Sequence, residues 1–227
     1  MTKIAAALCL VLLSACGQKP KVENAGRAYY EALNCRACHR IGADGSDGGP
    51  DLTLVGFRHS RLWLDTWLKS PQAWRPGTLM PSPELSEKAR EAIADYLATL
   101  RGQDFASGLP WNSPELKDKP IGRGLLIYGR AGCIACHGKD GRGGYPNNNV
   151  KGSAIPALAS VSQTYTKAEL ARKIKNGVTP AKADPAGPEP LVAMPKWGET
   201  LSDDDINAVV EYLFSLKPGT SSPGADF

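Results

Sequence analysis

The sequence has little of what a catalyst or a nucleic-acid binder needs. Neither sign of charge dominates: 27 lysines and arginines face 23 aspartates and glutamates, a net of +4. No basic run breaks that balance, which removes the electrostatic footprint of nucleic-acid binding. The apolar run at residues 4–13 is too short to cross a bilayer, for which about 20 residues are needed. No series of alternating apolar and polar positions marks a sheet. Histidine and methionine are scarce, three of each. No nucleophile with a neighbouring base and no phosphate-binding loop accompanies them, which argues for a carrier over an enzyme.

What is present begins at the N-terminus. Lys3 precedes the run 4–13, which suits the apolar core of a signal peptide. The run ends in Leu13-Ser14-Ala15-Cys16, which resembles a bacterial lipobox. That resemblance implies cleavage after residue 15 and acylation of Cys16, with residues 16–24 as a tether. An ordinary secretory signal with an incidental Cys16 is the alternative. Several acyl chains would anchor the protein stably on the periplasmic side of a bacterial membrane or at the cell surface, where one chain binds only marginally.

Of the six cysteines, Cys9 leaves with the leader and Cys16 takes lipid, so four remain. They form two pairs, Cys35/Cys38 and Cys133/Cys136, each followed by a histidine, His39 or His137. None is left over for a structural disulfide. The pairs sit inside a repeat. Residues 26–39 (GRAYYEALNCRACH) match 124–137 (GLLIYGRAGCIACH): a glycine, an aromatic four residues on, then the first cysteine five residues later. The units also end alike, in SEKAREAIADYLATL (86–100) and SDDDINAVVEYLFSL (202–216). Ser86 and Ser202 are N-cap candidates, and Asp205 occupies the reciprocal position of a capping box. Ile93, Tyr96, Leu97 and Leu100 recur at helical spacing, as do Val209, Tyr212, Leu213 and Leu216.

Further helices are expected from Ser60 to Ser70, ended by Pro71, and from the capping box Thr166/Glu169 to Gly177. The resulting plan is a leader at 1–15, a tether at 16–24, one unit at 25–101, a linker at 102–120 in which Trp111 has a domain to dock on, a second unit at 121–217 and a loose tail at 218–227. Units of this size, rich in loop, have marginal protein cores, so something else must fill them.

Cys-x-x-Cys-His is the attachment signature of haem c: two thiols reach the vinyl groups of one porphyrin, and the next histidine lies under the iron. A thioredoxin-like pair would need a βαβ setting, and a zinc site a second ligand pair; neither is visible. Both units therefore resemble class I cytochrome c domains, over roughly residues 25–100 and 121–216. The resemblance implies a mainly α fold of two tandem domains, each a few helices wrapped around one haem. The first and last helices would cross near Gly26, Tyr30 and Tyr96. It also implies a methionine as sixth iron ligand before the last helix. Beyond Met1, only Met80 and Met194 exist, each followed by proline and each shortly ahead of its terminal helix. Methionine opposite histidine raises the reduction potential and closes the iron to substrate. Pro50 and Pro156 are the matching candidates for the carbonyl that orients the proximal histidine.

His59 is the spare histidine, read as a surface or propionate-contacting residue, with bis-histidine ligation of the first haem as the alternative. Trp67, Trp74 and Trp197 are expected as pocket walls. The four-proline stretch between Gly177 and Met194 reads as an ordered loop beside the second haem. The implied function is single-electron transfer through two haem c groups between a redox donor and acceptor in the cell envelope. The alternatives are a haem subunit of a larger oxidase or dehydrogenase complex and a di-haem peroxidase.

Overall fold

A residue without a Cβ lets two helices cross at backbone contact, and each half of this chain uses one. The computed structural model describes residues 22–105 and 108–218. In the first unit α1 (Val22–Ala32) leads through a 3-10 turn at Cys35–Ala37 into an antiparallel pair, β1 (Arg40–Ile41) against β2 (Asp44–Gly45). Then come α2 (Val55–Arg58), α3 (Arg61–Lys69), α4 (Pro71–Trp74) and α5 (Glu87–Thr99). The second unit runs α6 (Pro120–Ile127), a π-helical turn at Tyr128–Gly132, α7 (Ile134–His137), α8 (Lys167–Asn176) and α9 (Asp203–Ser215).

The terminal helices of each unit cross where the glycine sits. A Cβ on Gly26 would collide with the Ala92 carbonyl and Tyr96 of α5, and one on Gly124 with the Ala208 carbonyl and Tyr212 of α9. One turn along, Tyr30 meets Tyr96 edge-on with ring centroids 5.9 Å apart, and Tyr128 meets Tyr212 at 5.2 Å. The repeat therefore encodes one crossing twice.

Caps set the helix starts. Ser60 and Ser86 accept backbone N–H bonds from Trp63 and Ala89. Thr166/Glu169 and Ser202/Asp205 both close complete capping boxes. Asp205 is buried and also accepts from Arg123 of α6, so the cap of α9 doubles as a lock on the crossing.

The structure departs from the sequence reading in several places. α1 begins at Val22, inside the stretch assigned to the tether. Pro71 does not simply end a helix; α3 stops at Lys69 and Pro71 opens α4, where its missing N–H costs nothing. In the 102–120 segment Trp111 docks as expected: short 3-10 turns at Pro110–Asn112 and Pro114–Leu116 seat it, 1% exposed, in the core of the second unit. Leu54, from the first unit, is fully buried in that same core. The leader, Cys16 and the end of the tail from residue 219 lie outside the described residues. Among the described residues, no helix is long and apolar enough to cross a membrane.

Candidate functional site

Each CxxCH segment lines a cavity beside its helix crossing. The first, about 370 Å³, is lined by Cys35, Cys38, His39 and Met80. The second, about 630 Å³, is lined by Cys133, Cys136, His137 and Met194. Both walls are mainly apolar, so an occupant would be held by burial and oriented by few polar groups.

The histidines are preset. A carbonyl oxygen can only accept, so Nδ1 of His39 carries the proton it donates to the Pro50 carbonyl at 2.8 Å. His137 Nδ1 donates likewise to the Pro156 carbonyl at 3.1 Å. In both rings Nε2 is the atom left with a free lone pair for a metal. Burial lowers both histidine pKa values, and in each the carbonyl hydrogen bond opposes it without prevailing. The neutral, ligand-competent imidazole is thus the favoured form. Gly49 makes the first arrangement possible, because a Cβ there would run into the His39 ring.

Cys35, Cys133 and Cys136 are unlike the thiols of an exchange-active Cys-x-x-Cys pair, whose pKa is depressed. Burial pushes Cys35 and Cys136 up, and Cys133 up to about 12. Among the described residues, no disulfide links them.

The methionines are held differently. Met80 Sδ accepts a hydrogen bond from Trp67 Nε1 at 2.9 Å, while Gln72 Nε2 donates to the Met80 carbonyl at 2.7 Å. Met194 exchanges both backbone hydrogen bonds with Val178 across an isolated antiparallel bridge. A thioether sulfur has two lone pairs, so the Trp67 bond leaves one for a metal. Two thiols, one imidazole Nε2 and one thioether per apolar cavity fit a covalently attached haem in each unit.

The rest of each wall follows its own plan. Trp63, Trp67 and Trp74 line the first cavity, Trp63 stacked on Trp67 at 5.4 Å. Trp197 lines the second. The proline-rich loop is ordered by consecutive asparagines that sequence reasoning passed over. Asn147 exchanges side-chain hydrogen bonds with the Val192 backbone. Asn148 binds the Glu189 carbonyl and the Leu191 N–H. Asn149 reaches the Asp184 and Pro188 carbonyls. An amide side chain that offers a donor and an acceptor to one backbone segment mimics a strand partner, which a loop with four prolines cannot supply itself.

His59 is not on the surface. It is 7% exposed, lines the first cavity and stacks on Trp63 at 3.7 Å with the planes 13° apart. Its position between α2 and α3 turns it inward, which a single histidine in a polar stretch does not announce.

The family model for cytochrome c matches residues 23–101 and again 121–217. The chain belongs to the cytochrome c family. It is an electron carrier with two covalently bound haem c groups. Among curated relatives, it is 29% identical over 204 residues to the cbb3-type cytochrome c oxidase subunit CcoP of Helicobacter pylori, covering 89% of this chain and 61% of that one. It is 27% identical over 200 residues to the cbb3-type cytochrome c oxidase subunit FixP of Azorhizobium caulinodans, covering 83% and 58%. It is also 33% identical over 87 residues to cytochrome c oxidase subunit 2 of Alkalihalophilus pseudofirmus, covering 34% and 25%. The chain therefore spans at most 61% of the length of these relatives.

Proposed function

We propose that this cytochrome passes single electrons to an oxidase complex in the cell envelope, with His39 and Met80, and His137 and Met194, as the side chains that would ligate the irons of its two haems. The observation that carries the ligand assignment is the sorting of side chains between the cavities: each is lined by one complete CxxCH set and one methionine, with Cys136 alone of these side chains reaching both. When bound, each haem supplies an iron that cycles between ferrous and ferric states. The protein orients His39 and His137 through the Pro50 and Pro156 carbonyls and excludes water with tryptophan and aliphatic walls. It also presents a thioether that favours the ferrous state. The oxidase as acceptor is supported by the names of the relatives, two of which match over most of this chain. The lipobox-like segment ending at Cys16 supports a lipid anchor on the periplasmic side. The donor's chemistry is that of any one-electron reductant of lower potential.

The test is a spectroscopic redox titration of the wild type beside Met80→Ala and Met194→Ala. Each substitution should lower one midpoint potential and change one haem's spectrum while the other haem is untouched. Unchanged spectra and potentials in both variants would sink the His/Met assignment. Purification of the membrane-bound protein under mild conditions tests the second half: co-purification with oxidase activity supports it, and a chain that runs alone refutes it.

A further inference from the structure

The two cavities share a wall. Arg58, Cys136, Ile155 and Val192 line both of them. Arg58 is the charged member, 6% exposed, and it arrives from the C-terminal end of α2. Its guanidinium donates from one terminal nitrogen to the Asp51 carbonyl at 2.6 Å, next to the proline that orients His39. The other terminal nitrogen donates to the Gly132 carbonyl at 3.0 Å, next to Cys133. One planar fork thus ties together the backbones that carry both haem-holding segments, a geometry an ammonium cannot reproduce. The guanidinium packs directly on Gly132, whose φ of +90° and missing Cβ admit it.

The charge is not neutralised within the described residues. Both hydrogen bonds of Arg58 go to carbonyl oxygens, and Nε has no partner. The nearby Asp51 carboxylate is engaged elsewhere, by Arg130 and by Thr53. Burying an uncompensated cation is costly, so its complement has to come from what fills the cavities it lines. Haem carries carboxylates.

We propose that Arg58 is a positioning residue common to both haem sites, whose buried positive charge raises the two midpoint potentials together. The inference rests on the haem assignment above and extends it. A fixed cation disfavours the extra positive charge of ferric iron, at both irons at once because it stands in the partition between them.

The experiment is a redox titration of the full two-haem chain, with haem content measured in parallel. Arg58→Gln should lower both midpoints, shifting each ferrous/ferric ratio at fixed potential by roughly tenfold at the effective dielectric of a protein site. Arg130→Gln breaks the neighbouring ion pair without touching either cavity lining and should move neither by a comparable amount. A shift confined to one haem, no shift, or an equal shift in Arg130→Gln overturns the proposal. Should Arg58→Gln fail to assemble with two haems, Arg58→Lys carries the test. Its ammonium keeps the positive charge but cannot hold both carbonyls, so both midpoints should stay close to the wild type. A fall in both midpoints of about tenfold in the ferrous/ferric ratio refutes the role of the charge. Failure of the haem assignment looks different: the Met80 and Met194 variants would then leave both spectra unaltered.

Discussion

At the first site an indole donates to the methionine sulfur, three tryptophans form the wall, and residues of the second unit, Tyr145 and Pro146 among them, close the cavity. Arg75 of the first unit lies 3.6 Å above the Tyr145 ring, so that closure is a packed contact. At the second site the methionine is placed by a backbone bridge, and the wall is a loop clamped by asparagines. The helix crossing beneath is the same in both. The difference teaches that the frame is set by a few contacts near glycine, while the surroundings of each iron are set by whatever segment happens to cover the open side. It also shows an asymmetry of dependence. The second core borrows Leu54 from the first unit and Trp111 from the linker, whereas the first hydrophobic cluster contains residues of its own unit alone.

That asymmetry can be broken by substitution. The largest effect is expected for Trp111→Ala, since emptying a fully buried tryptophan site costs about 3–5 kcal/mol. Thermal unfolding should show the second unit melting early, and a loss borne mainly by the first unit would contradict the core assignment. Leu54→Ala should follow at about 2–5 kcal/mol, again at the expense of the second unit although the residue lies in the first. Limited proteolysis with haem-stained fragments would report which half opens. Asn147→Ala removes a buried amide that pairs with both backbone groups of Val192, at a cost of about 1–3 kcal/mol. Hydrogen exchange should rise in residues 180–193 and stay unchanged around Met80. The smallest effect is spectroscopic. Trp67→Phe removes the hydrogen bond that draws density from Met80 Sδ and should lower the first midpoint alone. The shift should stay below the ~59 mV of a tenfold one-electron change. A change at the second haem would show that the two walls are not independent.

Much of the frame was legible because it depends on local chemistry. Capping boxes at Thr166 and Ser202 need residues three apart, and the crossing needs a glycine and an aromatic one helical turn on, so a linear reading captures both. Pro71 was rightly read as a stop, but its second role as the start of α4 was not, because proline both ends helices and starts them and only the path of the chain shows which follows. His59 was misplaced because burial depends on where a two-residue turn points, and no periodicity surrounds it. The asparagines at 147–149 went unread because their partners lie 35 to 45 residues away.

The sequence by itself determined two covalent haem sites, their repeat and the helix crossing on which each stands, since all of these are written in short-range spacings of cysteine, histidine, glycine and aromatic residues. Only the tertiary structure decided how the sites meet. It buried Arg58 in a shared partition, lent Leu54 to the other core and turned Trp67 onto Met80. Such contacts join residues remote in sequence, so side-chain packing selects them and no spacing rule encodes them.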